Sequence, residues 1–341
     1  MRGMVSLCVA LGLAAGAPAL LAQKVEKKAE VKRSKAEELD IAVLLQAADT
    51  VEAGQAAATG TTVSWESHHF IRSQDGTTYV PFTVHLDRAK LVSPTAALYV
   101  RVAKRGSKPP VPSKDNKDKD KAAAAYPWEN LYFAAVSAEG KISRAFQVPG
   151  GDYDIYVAVK DKGTVEKADK NFTPTVALAK QELSVPDFNA PELSTSSVIL
   201  ATAIQPAPAG LTAQEDPYVF GPMQIVPSRD GKYRKAEALE VVYWIYGATG
   251  DASGKPDVVI ENSFNQKTAD GEKFFNKTQP QALNGQSLPP DFTAKSGPLP
   301  GTLQVPLTSF PPGDYRLEIK ISDKTSGKSV TQNVAFTVLA S

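Results

Sequence analysis

Apolar and polar residues alternate along most of the chain after its first sixty positions. Two early runs place aliphatic or aromatic residues at every second position, namely Phe82, Val84 and Leu86, then Leu98, Val100 and Val102. This period of two is typical of strands that bury one face. The segment Gln74–Gly76 precedes the first run and is expected to be a hairpin turn. The pattern predicts an all-β chain of short antiparallel strands.

One strand pattern occurs twice, in residues 149–162 and 311–324, and the two copies align without a gap. In each copy a turn of proline and glycine leads into Gly-Asp-Tyr, followed by alternating aliphatic residues and then Asp-Lys. Glycine suits the turn, and a tyrosine at a strand entrance can bury its ring while its hydroxyl bonds to upstream backbone, as in the tyrosine corner of immunoglobulin-like sandwiches. Return strands are expected at Phe172–Leu183 and Ser329–Leu339. The repeated residues are Gly151, Asp152, Tyr153, Gly313, Asp314 and Tyr315.

The repeat predicts two tandem immunoglobulin-like or fibronectin III-like β-sandwiches, at residues 61–185 and 194–341, joined by a linker at 186–193. Residues 104–125, where Lys and Asp alternate, are expected to form a disordered loop within the first sandwich, because they cannot bury apolar surface. The strands expected in the second sandwich are Phe220–Pro227, Ala238–Gly247, Asp257–Asn265, Glu272–Thr278, Thr302–Leu307, Asp314–Ser322 and Val330–Leu339.

The N-terminal segment is predicted to be a signal peptide of residues 1–22. Arg2 precedes an apolar stretch, and small residues lead up to a cleavage position after Ala22. The alternative is an uncleaved anchor, because the apolar stretch is close to the length that spans a bilayer. Cleavage implies a periplasmic or secreted protein with no remaining transmembrane segment. It also removes Cys8, the chain's single cysteine, so no disulfide or catalytic thiol is expected.

Residues 23–60 differ in composition from the rest and are rich in Ala, Glu and Lys. They are expected to form a charged tether followed by a short helix. The apolar stripe of that helix is expected to contain Leu39, Val43, Leu44 and Leu45.

Charge and motifs exclude several classes of function. Lys and Arg number 38 against 37 Asp and Glu, so no basic surface excess points to nucleic acid. No P-loop, Gly-x-Ser-x-Gly or His-Glu-x-x-His motif occurs. The three histidines, His68, His69 and His85, are expected on a strand surface, since neighbours on a strand face opposite sides. We therefore expect no catalytic residue, no metal site and no cofactor.

Two further sets of residues leave functional alternatives open. The dense aromatic run Tyr243, Trp244 and Tyr246 is a candidate binding surface if one strand face is exposed, and part of the core if it is not. A carboxylate pair suited to hydrolysis needs only two acids at the right separation. The acids considered for such a pair are Asp152, Asp154, Asp161, Glu237 and Glu240.

Several segments resemble a known group of exported modules. Leu307–Leu317, the return strand ending Ala335–Val338, and Leu193–Leu200 look like the immunoglobulin-like sandwich modules of acidobacterial-type proteins that accompany von Willebrand factor A-related and GWxTD domains. The helix region Leu39–Ala58, leading into Thr77–Pro81, is similar to the stretch after the von Willebrand factor A-related domain. Neither Asp-x-Ser-x-Ser nor Gly-Trp-x-Thr-Asp occurs, so the resemblance implies a fold and no ion site.

The sequence therefore predicts a non-enzymatic exported envelope protein that acts as an interaction or structural module. Its partner is expected to be an envelope protein or a polysaccharide. A carbohydrate-binding module that uses exposed aromatic residues is the alternative, and a hydrolase with a carboxylate pair is the third hypothesis.

Overall fold

The computed structural model describes residues 34–55, 63–87, 93–107, 126–161 and 176–340. The predicted signal peptide 1–22, the tether before Ser34 and residues 108–125 of the predicted Lys/Asp loop lie outside the described residues. Within the described ranges, no helix combines the length and apolarity needed to cross a membrane.

The described chain divides into two compact units. The N-terminal unit contains the described residues up to Asp187 together with Gln214–Pro217. The C-terminal unit contains Phe188–Ala213 and the residues from Tyr218 onward.

The N-terminal unit is a β-sandwich with a helix on one outer face. In one sheet, β3 pairs antiparallel with β1, β2 and β6. The other sheet has the order β5-β4-β7-β8. Side chains such as Phe82, Val100 and Val157 from both sheets form the core between them. The elements are α1 (Lys35–Glu52), β1 (Val63–His68), β2 (Ile71–Arg72), β3 (Thr78–Leu86), β4 (Thr95–Lys104), β5 (Trp128–Ala135), β6 (Lys141–Val148), β7 (Gly151–Asp161) and β8 (Ala177–Val185).

The predicted helix is confirmed as α1, and it begins with a capping box. Ser34 Oγ accepts from Glu37 N, and the Glu37 carboxylate accepts from Ser34 N, which satisfies free N–H groups of the first turn. The predicted stripe is wrong in one member, because Leu39 is 47% exposed and Asp40, Leu44 and Ala48 are buried. The carboxylate of Asp40, which is not part of the predicted stripe, therefore occupies a buried position on the helix.

Helix α1 covers the outer face of the sheet that contains β4 and β7. Leu44 and Ala48 pack against Ala97, Tyr99 and Ala158. Because the sandwich core lies on the other side of this sheet, both strands are buried at nearly every position. The helix is thus an integral layer of this unit.

The C-terminal unit is a second sandwich of two sheets. One has the order β11-β12-β10-β14-β18 with β9 beside β14, and the other has the order β13-β20-β19-β15-β16 with β17 beside β15. The elements are β9 (Ser194–Thr195), β10 (Ile199–Pro206), β11 (Val219–Phe220), β12 (Met223–Pro227), β13 (Lys232–Arg234), β14 (Ala238–Tyr246), β15 (Val258–Thr268), β16 (Gly271–Lys277), β17 (Gln281–Leu283), β18 (Leu299–Pro306), the 3-10 turn Leu307–Ser309, β19 (Gly313–Asp323) and β20 (Ser329–Leu339).

The prediction of an all-β sandwich fold is confirmed. Each strand expected in the second sandwich has an observed counterpart, and β20 has the bounds predicted for the second return strand. The first return strand is β8, which ends at Val185 and not at the predicted Leu183. The sequence pattern did not identify β10, whose small residues Ala201 and Ala203 weaken the alternation, or the two- and three-residue strands β9, β13 and β17.

Candidate functional site

The repeated tyrosines form the same hydrogen bond in both units. Tyr153 Oη donates to the carbonyl of Pro149 over 2.9 Å, and Tyr315 Oη donates to the carbonyl of Pro311 over 2.7 Å. Both rings are buried, and burial raises the pKa of both phenols, which keeps the hydroxyls protonated and able to donate. The predicted tyrosine corner is confirmed in each copy.

The repeated glycines have a backbone reason. Gly151 and Gly313 have φ values of 152° and 146°, in the region that a side chain disfavours. Each begins its strand immediately after the turn. The backbone conformation after the turn therefore explains why the repeat has glycine at this position.

The repeated aspartates bind hydroxyl groups on the return strands. Ser184 Oγ donates to Asp152 Oδ1 over 2.5 Å, and Thr337 Oγ1 donates to Asp314 Oδ1 over 2.7 Å. Sequence reasoning missed these partners, although in each return strand the hydroxyl residue directly precedes a valine. Gly-Asp-Tyr thus acts as one structural unit that fixes the strand entrance.

Asp323 closes the hairpin that follows the second repeat. Its carboxylate accepts hydrogen bonds from Thr249 N over 2.9 Å, Thr325 N over 3.0 Å and Ser326 Oγ over 2.6 Å. Burial opposes ionisation, but the hydrogen bonds from Ser326 and Thr249 outweigh it and lower the pKa of Asp323 below its ordinary value of 3.8. The ionised carboxylate therefore stabilises this hairpin.

Asp323→Asn is expected to lower the free energy of unfolding of the C-terminal unit by about 1–3 kcal/mol at neutral pH. Because the folded pKa is depressed, this stabilisation is present above the unfolded pKa of about 3.9 and is lost as pH falls through the folded pKa. Urea denaturation of both proteins at a series of pH values measures the difference. A difference that does not shrink below about pH 4 contradicts the assigned role.

The aromatic run on β14 is buried, so of the two alternatives that the sequence left open, the residues belong to the core and not to a candidate binding surface. Tyr243 lies in the core between the sheets. The ring of Trp244 packs 5.1 Å from that of Phe220, and the ring of Tyr246 packs 5.1 Å from that of Phe188. The opposite sheet covers one face of β14, and the chain around Phe188 and Phe220 covers the other. Tyr243, Trp244 and Tyr246 therefore form no exposed platform.

His68 and His69 are neighbours, and His85 lies apart from them. Trp65 Nε1 donates to His68 Nδ1 over 3.2 Å, and burial lowers the pKa of His68. Burial first, and then the charge of His68, lower the pKa of His69 to about 4. His85 stands opposite Ser64, at the other end of β1 from His68. Among the described residues, no group of three or more His, Cys, Asp or Glu side chains is placed to bind a metal.

The acids considered for hydrolysis have structural partners. Asp154 pairs with Lys180 Nζ over 3.0 Å, and Asp152 binds Ser184 as described above. Backbone or side-chain N–H groups donate to the others, with distances of 3.3 Å from Ser93 to Asp161, 2.7 Å from Arg234 to Glu237 and 2.9 Å from Gln304 to Glu240. These contacts account for the acids as turn and strand charges.

A buried ion pair holds the first half of α1 to the sheet. The Asp40 carboxylate contacts Lys160 Nζ, and each side chain is 1% exposed. Lys160 lies near the end of β7, on the face opposite the sandwich core. Sequence reasoning missed this pair, and the available signal was Lys160 directly after the apolar run Ile155–Val159.

A second cation holds the last turn of α1. Arg101 Nη1 lies 2.7 Å from both the Asp49 and the Glu52 carboxylates. Its guanidinium carbon lies 4.2 Å from the ring centre of Tyr126, and Tyr126 Oη donates to Glu52 over 2.7 Å. Arg101 Nε also donates to Tyr99 Oη over 3.0 Å. The helix and the sheet are therefore joined by complementary charges at both ends.

The edge strand β16 carries the most exposed large apolar side chain of the described residues. Phe274, at its centre, is 63% exposed. A bulge opposite β15 inserts Phe275 into the core, where its ring lies 4.8 Å from that of Phe310. The bulge leaves Phe274 paired with Asn265, on the outer face of the sheet. β16 ends the order of its sheet, so its outer edge is not paired with another described strand.

A depression of about 520 Å³ lies near the end of the described chain. Arg234, Lys235, Thr308 and Leu339 line it, with two alanines. None of these described lining residues is an acid or a histidine, so the depression brings together neither a carboxylate pair nor a metal-binding set.

Comparisons with known proteins do not assign this chain to a family. No family model and no curated protein matches the chain. Among solved structures, a mutant of Salmonella alpha-2-macroglobulin is similar over 84% of this chain, at 9% identity and a TM-score of 0.24. Escherichia coli alpha-2-macroglobulin activated by porcine elastase is similar over 82%, at 10% identity and a TM-score of 0.22. The chain spans 15% and 22% of those proteins' lengths. TM-scores this low do not assign it to their family.

Proposed function

We propose that this protein is a non-enzymatic interaction module of the cell envelope, exported to the periplasm or the cell exterior, and that β16 is the edge that binds its partner. An edge strand presents backbone N–H and C=O groups to which an extended segment can add as a further strand. The observation that carries the proposal is the exposed Phe274 at the centre of this edge, because aromatic side chains commonly anchor interfaces.

The charges on the hairpin favour a partner segment with acidic side chains on either side of an apolar one. Lys267 and Lys277 are exposed on β15 and β16 around Phe274. Lys273 pairs with Asp270, and Arg316 pairs with Glu272. Lysines on an edge also oppose uncontrolled pairing between copies of the chain. We take the partner to be an envelope protein that supplies such a segment, with charge steering the encounter.

The aromatic residues of β14 and the acidic residues favour a protein-binding role over a carbohydrate-binding module or a hydrolase. Burial of the β14 aromatic residues removes the surface on which a carbohydrate-binding role would have rested. The structural partners of the acids account for those carboxylates without a reaction. The resemblance to exported sandwich modules also favours an envelope partner.

A photo-crosslinking phenylalanine analogue at position 274 is expected to capture an envelope protein in cells. The same analogue at position 39 is the control, since Leu39 is also an exposed apolar residue, on a helix and not on a sheet edge. The purified partner should then slow amide hydrogen exchange in Gly271–Lys277. Phe274→Ala should weaken its binding about tenfold or more, and Leu39→Ala should leave it unchanged.

Two results would count against the proposal. One is equal capture at positions 274 and 39. The other is a partner, protein or polysaccharide, that protects amides elsewhere and leaves those of β16 unprotected.

A further inference from the structure

The sheet β5-β4-β7-β8 carries two buried cations on the face that α1 covers. Arg101 and Lys160 are 3% and 2% exposed, although both belong to strands of mainly apolar residues. The helix supplies their counter-charges, with Asp40 on Lys160, and Asp49 and Glu52 on Arg101. A helix with carboxylates at this spacing is therefore the chemical complement of this face.

The contact between α1 and the sheet is made by side chains and not by a shared strand ladder. Leu44 and Ala48 of α1 pack between the two charged ends. Residues 53–62 join α1 to β1, and a stretch of that length spans at most about 35 Å. A second copy of the chain carries the same helix and the same face, so the same contacts can form between two chains without new chemistry.

We infer that the outer face of this sheet is a helix-binding site that also accepts α1 from a second copy of this chain, which gives a dimer with exchanged helices. Within one chain, the short connection keeps the effective concentration of α1 in the millimolar range, so intrachain docking predominates in dilute solution. Exchange of α1 between two chains predominates when substitutions make the contact between residues 40 and 160 repulsive within each chain. This site is separate from the β16 edge and does not depend on the function proposed for that edge.

Two complementary variants test the exchange. Asp40→Lys places two cations together within its own chain, and Lys160→Asp places two carboxylates together within its own chain. In a mixed dimer both interfaces join opposite charges, and one of them is the native Asp40–Lys160 pair. The full-length variants are refolded separately and together, and the products are separated by size with light-scattering detection. We expect a 1:1 species of twice the single-chain mass only after refolding together.

The control is one chain that carries both Asp40→Lys and Lys160→Asp. Its reversed pair is attractive within the chain, so it should stay monomeric and form no mixed dimer with the wild type. The amides of α1 should be protected from hydrogen exchange in the mixed dimer and lose protection in each variant alone. If refolding together gives no mixed dimer, or if the double variant dimerises to the same extent, the inference is overturned. Because the variants refold together, the test holds even if one of them does not fold alone.

Discussion

Lys160→Met is expected to lower the free energy of unfolding of the N-terminal unit by about 3–5 kcal/mol. The substitution removes the ammonium that the buried Asp40 carboxylate contacts, while the methionine side chain preserves most of the packing volume. The cost arises because a buried charge that loses its counter-charge keeps its desolvation penalty. Urea denaturation followed by the helical circular dichroism signal measures the change.

Two controls separate the charge from the packing. The double variant Asp40→Leu with Lys160→Met removes both charges and should recover most of the loss, giving a coupling energy of several kcal/mol in a double-mutant cycle. Lys273→Met breaks an exposed ion pair with Asp270, where Nζ lies 3.1 Å from the carboxylate, and should cost no more than about 1 kcal/mol. If Lys160→Met costs no more than Lys273→Met, the pair does not hold α1 to the sheet.

Tyr315→Ala is expected to lower the free energy of unfolding of the C-terminal unit by about 3–5 kcal/mol. Its fully buried ring stacks on Phe336 at 5.3 Å and contacts Phe310 at 5.3 Å and Phe275 at 5.5 Å. The substitution leaves a cavity at the centre of these rings. Denaturation monitored through amide exchange of the core strand β19 measures the loss.

Tyr315→Phe separates the hydroxyl from the ring. It keeps the aromatic contacts and removes the hydrogen bond to Pro311, so the expected loss is about 1 kcal/mol. Tyr153→Phe should cost a similar amount in the N-terminal unit, since it removes the equivalent bond to Pro149. Opposite effects of the two Phe variants would contradict an equivalent role for the two corners.

The two repeats share a sequence pattern but differ in the burial of their outward residues. In β19 the inward residues Leu317 and Ile319 are buried, while Glu318 and Lys320 face outward in polar surroundings. In β7 the outward residues Tyr156, Ala158 and Lys160 are buried as well, and Ala158 lies beneath α1. Apolar residues at the outward positions of β7 thus indicated that another element packs on this face. The strand sequence did not indicate that this element is α1.

The sequence by itself determined the all-β class, the repeat and the tyrosine corners. These features depend on short-range rules: the alternation of side chains along a strand, the backbone freedom of Gly151 and Gly313, and a tyrosine hydroxyl close to an upstream carbonyl. Each rule operates within a few residues, so it can be applied to a sequence before any contact between distant segments is known.

Only the tertiary structure decided which side chains are covered. Burial of Trp244 depends on Phe220, burial of Lys160 depends on Asp40, and exposure of Phe274 depends on the bulge that turns Phe275 inward. A strand's alternation assigns residues to two faces but does not say what packs on either face. That outcome is set by contacts between segments far apart in the chain. It is why the sequence left the aromatic run open between a binding surface and the core, and why it did not predict the exposed phenylalanine on the edge.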